Sequence, residues 1–133
     1  PHRIETPAGS IVELPGTTMP RTRAPIHFTD LSFLAQKSPA AARAYWRTAM
    51  RLCRARSVGP SLLLHPLDFL GEEDEPQLAY FPGMRLPRAV KLQLLSDVLT
   101  GLARNRQVVT VAHHALGCPV ATPTRVLEEV GHG

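Results

Sequence analysis

At 133 residues the chain has room for about one domain, and with 44% apolar and 20% charged residues it can bury a core rather than stay disordered. Its longest apolar runs, such as Leu62–Leu64, fall far short of the ~20 residues that cross a bilayer, and the residues after Pro1 do not read as a basic-then-apolar leader. Lys and Arg outnumber Asp and Glu by 15 to 11, with the basic excess concentrated in residues 1–60 and an acidic excess in residues 61–90. No zinc finger, aromatic-rich RNA-binding signature or long basic tail accompanies that charge, so nucleic acid is not the expected partner.

Cys53 and Cys118 are too few for a disulfide scaffold and lack metal-site spacing; free thiols are expected, with one bridge the alternative. The 13 prolines are about twice the usual share, and a start at Pro1 reads as a segment excised from something longer.

In chain order, Ile11-Val-Glu-Leu14 reads as a short strand closed by Pro15-Gly16. Residues 15–38 form a long connection, with one helical turn near Asp30–Ala35 capped by Thr29 or Asp30. Ser38 as N-cap and Pro39 at the first helical position open a strong helix. Its apolar stripe is Ala42, Tyr45, Trp46, Ala49, Met50 and Cys53, with Arg43, Arg47, Arg51 and Arg54 assigned to the opposite face. Gly59-Pro60 stops it before a second strand, Ser61–Leu64.

A second long connection, 66–86, holds the acidic run Gly71-Glu-Glu-Asp-Glu-Pro76. A helix from Pro87 to about Arg106 follows, burying Leu92, Leu95, Val98, Leu99 and Leu102. A third strand spans Gln107–Ala112, and a last short helix starts at Pro123 behind Thr122 and carries Val126 and Leu127. The second and third strands have apolar or small residues on both faces, as parallel strands covered on both sides do. The order is β-α-β-α-β-α, which predicts an α/β fold with a parallel sheet and right-handed crossovers.

Both long connections follow the carboxyl end of a strand, the edge at which parallel sheets bind ligands. That edge would gather Pro15–Arg23, His65–Phe69 and His113–His114. His65 is the sharpest candidate. It ends an apolar strand, precedes Pro66 and has Asp68 three residues on, which suits a general acid or base; a structural histidine bonded to a loop carbonyl is the alternative. Thr17, Thr18, Arg21 and Arg23 could hydrogen-bond a sugar or phosphate, or form no more than a solvated turn. No HxxxH or HExxH pattern, nucleophile elbow, P-loop or dinucleotide fingerprint occurs.

The string Leu62-Leu-Leu-His65-Pro-Leu-Asp68-Phe, behind a Thr-Thr-Met-Pro loop, resembles the C-terminal half of polysaccharide deacetylases, the NodB-homology family. The closing Lys91-Leu-Gln-Leu-Leu to Val108-Val-Thr-Val-Ala112 unit is similar to the end of that fold, and the likeness covers roughly residues 10–116. The resemblance implies a parallel β-α-β-α-β segment of an irregular (β/α) barrel, incomplete on its own, with residues 1–133 forming one C-terminal piece of a larger catalytic domain. It implies a metal-dependent hydrolase that removes an acetyl or formyl group from the nitrogen of a sugar, polysaccharide or lipid-linked saccharide.

On that likeness His65 is the general acid and Leu63 lines the acyl pocket; by their place at the expected sheet edge, Asp68 beside His65 and Thr18 and Arg21 in the first rim loop are the candidate substrate-binding residues. The cofactor is a divalent metal, zinc or similar, whose ligands belong to the missing N-terminal half; no match to those motifs occurs in this sequence. The segment alone is expected to be inactive. The implied location is the cytoplasm or the cytoplasmic membrane face, with the basic helix near anionic lipid. The alternative is a non-catalytic α/β module that binds an anionic partner through its arginine-rich face.

Overall fold

The computed structural model describes residues 2–20, 22–117 and 121–126. The chain is a mixed α/β protein that divides into two compact units, one formed by Gly16–Arg106 and the other by the described parts of Pro1–Pro15 and Gln107–Gly133.

In the second of these units, β1 (His2–Thr6) and β2 (Gly9–Glu13) form an antiparallel hairpin. Thr6 Oγ1 donates to the Gly9 carbonyl at 2.6 Å, and Gly9 takes a φ of 128° that a side chain would resist. A further strand, β3 (Ala121–Val126), pairs parallel with β1, so the sheet order is β2-β1-β3. The expected strand at 11–14 is therefore borne out in part, as β2, although its neighbour is an antiparallel one.

Two other expectations fail in this unit. The 121–126 stretch is a strand where a helix from Pro123 was expected, and its continuation at Leu127 lies outside the described residues. Pro123 is tolerated because β3 lies at the sheet edge, and the β1–β3 register shifts between His2 and Ile4, opposite the stretch that contains Pro123. Residues 107–110 form no strand either, and α4 (Val111–Gly117) begins where that strand should end. Val108 and Val111 are exposed and pair with no strand among the described residues, and Thr110 Oγ1 accepts the His113 N–H at 3.2 Å to start the helix. A β-branched run becomes a strand only where a ladder partner is present.

The Gly16–Arg106 unit is helical. α1 (Phe28–Lys37) is a full helix where only one turn was expected; it buries Phe28, Leu31, Ser32 and Ala35. Ser38 ends α1 by donating its N–H to the Leu34 carbonyl at 2.8 Å, and starts α2 (Pro39–Ala55) by accepting the Ala41 N–H on its hydroxyl at 3.2 Å. The expected stripe of α2 is present: Ala42, Trp46, Ala49 and Cys53 are buried, with Tyr45 and Met50 packed against the core. After Gly59-Pro60 the chain runs extended through 61–65 and then makes 3-10 turns at Pro66–Phe69 and Pro76–Leu78.

The helix α3 (Arg88–Asn105) closes the unit and buries Lys91, Leu94, Leu95, Val98 and Leu102. Leu92 and Leu99, expected inside, are 37% and 40% exposed; the buried stripe is rotated toward Lys91 and Leu94. The acidic run at 71–75 has a local task. Glu73 Oε1 accepts the Arg88 N–H at 2.6 Å, and Asp74 Oδ1 takes the Arg88 guanidinium at 3.3 Å, which places carboxylates at the positive end of α3.

Residues 61–64, expected to be a parallel strand buried on both faces, carry no ladder to any described residue. Leu62 and Leu64 pack on the core while Ser61, Leu63 and His65 are exposed, the alternation of a chain covered on one side only. Its backbone ties are single ones. Ser61 N–H reaches Thr17 Oγ1 at 2.6 Å, and the Leu63 carbonyl accepts the Phe28 N–H at 3.4 Å. Among the described residues no helix is long and apolar enough to cross a membrane.

Candidate functional site

His65 is the last extended residue before a 3-10 turn that Pro66 opens. The turn brings Asp68 back beneath it. The His65 N–H donates to Asp68 Oδ2 at 2.8 Å, and the Asp68 N–H donates to the His65 carbonyl at 2.9 Å. Asp68 is only 2% exposed, so its carboxylate needs these bonds to offset the loss of water.

The second Asp68 oxygen, Oδ1, accepts the Thr29 hydroxyl at 3.0 Å. The same Thr29 Oγ1 lies 3.2 Å from His65 Nδ1, and His65 Nδ1 is 3.7 Å from Asp68 Oδ2. A hydroxyl carries one proton. With that proton given to the carboxylate, Thr29 can only accept from the imidazole, so Nδ1 carries the hydrogen. Nε2 makes no hydrogen bond to the described residues, and the imidazole is half-exposed. The arrangement orients a histidine through one nitrogen and leaves the other for proton exchange.

Lys91 holds the turn from below. It is 1% exposed, and its ammonium donates to the carbonyls of Leu67, at 2.9 Å, and Leu70, with the Met84 sulfur at 3.7 Å. Burial pulls its pKa below the usual lysine value, opposed in order by the charges of Asp68, Glu73 and Asp74.

The expected site residues separate into groups. His65 and Asp68 come together as the spacing suggested. Leu63, 46% exposed, shares the outward side of the extended segment with His65, two residues on. Thr18 is exposed in a small turn, bridged to Pro25, and makes no hydrogen bond to the His65 cluster. Arg21 lies outside the described residues. His113 and His114 occupy α4 of the other unit, within a helix rather than at a strand end.

Two members of the cluster escaped sequence reasoning. Thr29 was read only as a helix cap, and its partners lie 36 and 39 residues away. Lys91 had a legible signal: it occupies a buried-stripe position of α3, where a lone cation must find acceptors.

A divalent metal does not fit here. The cluster offers one imidazole and one carboxylate whose oxygens already accept two hydrogen bonds, and among the described residues no group of three or more His, Cys, Asp or Glu side chains could hold an ion. No protein-family model, curated protein or solved structure matches the chain.

Proposed function

We propose that the His65–Thr29–Asp68 cluster is the proton-donating part of a hydrolase that removes an acetyl or formyl group from the nitrogen of a saccharide, free, polymeric or lipid-linked. The supporting observation is the fixed imidazole: a buried carboxylate and a hydroxyl hold Nδ1, while Nε2 has no partner among the described residues. Cleaving an amide expels a poor leaving group, and a positioned imidazolium can protonate the departing amine as the C–N bond breaks. Nε2–H is the donor, and Thr29 and Asp68 hold the ring against rotation. Leu63, on the same outward side, supplies apolar contact for the acyl group.

On this reading the chain is one piece of a larger catalytic domain of the irregular (β/α)-barrel type, and residues 61–65 present His65 without themselves forming a ladder to any described residue. The metal the resemblance implies would be held by other residues, and the protein would work in the cytoplasm or at the cytoplasmic membrane face. Asp68 acts by positioning rather than by touching substrate; Thr18 and Arg21 remain substrate-side candidates only from their place in the loop after the first strand.

The test is release of acetate or formate from N-acyl saccharides by the full natural chain, supplied with divalent metal. His65→Ala should lower turnover by about 10²–10⁴ with metal content unchanged. Unchanged turnover, or no hydrolysis by the full chain, overturns the reading. The 133-residue chain alone is expected to be inactive.

A further inference from the structure

The arginines of α2 were expected on the face opposite its apolar stripe. Instead Arg43, Arg47, Arg51 and Arg54 line a groove of about 970 Å³ between α2 and α3, together with Arg104 and Arg106 from the end of α3. Trp46, Met50, Leu94, Val98 and Leu102 line the same groove. Arginine walls and apolar stripe thus meet in one concave surface.

Only Arg43 has a carboxylate partner, Asp97 across the groove at 3.8 Å; the other five arginines pair with none among the described residues. Like charges held together this way repel unless an anion lies between them, and guanidinium groups bind phosphate through two parallel hydrogen bonds. The apolar floor narrows the choice of anion. A simple polyanion would use the rim and leave the floor empty. A flat bilayer surface cannot follow the concave cleft between two helices, whereas a single chain can enter it. A molecule with an anionic head and an apolar tail satisfies both parts, and the groove lies near the top of the ~300–1,000 Å³ range of small-molecule sites.

We infer that the α2–α3 groove binds a single phosphate-bearing amphiphile, its phosphate held by the arginines and its alkyl chain laid along the Trp46 floor. The groove shares no residue with the His65 cluster, so the inference stands apart from the hydrolase reading.

Trp46 is the only tryptophan in the chain, so its emission reports the groove directly. The probe is dodecyl phosphate below its micelle-forming concentration. Saturable change in Trp46 emission is expected, with affinity falling about 10-fold or more in Arg47→Glu/Arg51→Glu and falling as salt rises. Arg47→Lys/Arg51→Lys should retain most of the binding, and equal far-ultraviolet circular dichroism would show that both variants fold. Dodecyl maltoside and inorganic phosphate at the same concentration should not saturate the signal. The inference is overturned if inorganic phosphate or poly-glutamate binds as tightly as dodecyl phosphate, or if dodecyl maltoside does. Binding seen only with phosphatidylglycerol vesicles, or unchanged in the folded charge-reversal variant, overturns it equally.

Discussion

Asp68 holds His65 twice over: one carboxylate oxygen accepts the His65 backbone N–H at 2.8 Å, and the other accepts the hydroxyl of Thr29, which itself sits 3.2 Å from the His65 ring. Backbone and side chain of the histidine are thus positioned by one buried group. Replacing Asp68 by Ala leaves the Thr29 hydroxyl and the His65 N–H without that acceptor, and should cost about 1–3 kcal/mol in urea unfolding. A loss below about 0.5 kcal/mol would mean that water replaces the carboxylate freely.

Thr29→Val separates ring orientation from stability. The methyl group keeps the volume but cannot accept from Nδ1–H. The neutral ring should shift toward the Nε2–H tautomer, read from the His65 ring nitrogen shifts in ¹⁵N NMR above the pH of imidazole titration. An unchanged tautomer ratio would show that Thr29 does not set it.

Lys91 gives a stability effect with a defined sign. Lys91→Met should cost about 1–3 kcal/mol, because the Leu67 and Leu70 carbonyls lose their donor. Burial lowers the native pKa of Lys91, so between that value and the unfolded value of about 10.4 the unfolded chain binds more protons. The cost of burying the charge is fully present below the native pKa and is relieved as pH rises to about 10.4. Wild-type stability measured against Lys91→Met should therefore improve as pH rises through that window. A difference independent of pH would contradict the lowered pKa.

Gly83 should not tolerate a side chain. Its φ is 86°, and a Cβ there would stand 2.8 Å from the Ser32 Cβ of α1. Gly83→Ala is expected to lower stability by about 1–3 kcal/mol. Gly59→Ala, where a Cβ meets nothing within 4 Å, is the control, expected to change stability by less than about 0.5 kcal/mol. Equal thermal midpoints for the two variants would refute the assigned crowding.

Cys53 is a free, fully buried thiol, with its pKa pushed up by burial and only partly countered by Arg106. In a Cys118→Ser background it should resist iodoacetamide in the native protein and react once the chain is unfolded. Rapid native labelling would show that the α2 core opens readily.

The helices were legible where their signals were local. Ser38, Pro39 and the stripe from Ala42 to Cys53 define α2 within one stretch of sequence, and α3 follows from its leucines. α1 is longer than the single turn its sequence suggests, and a serine, Ser32, sits within its buried face. Residues 61–64 and 107–112 read as strands but form none among the described residues, because hydrophobic runs reveal a preference whereas a ladder needs a neighbour that the run does not encode. The same division holds at the site. The three-residue step from His65 to Asp68 could be read directly, but Thr29 is joined to them only by the packing of α1 against the 65–69 turn.

Ser38 carries a consequence of its own, because it belongs to the end of one helix and the start of the next with no linker between them. The corner has no slack. An inserted residue there would have to be absorbed by turning one helix about 100° on its axis. Either Thr29 would swing away from Asp68, or Trp46 would leave the core. One serine therefore keeps the phase between the two helices, so that the histidine's hydroxyl partner and the floor of the arginine groove are set by the same joint.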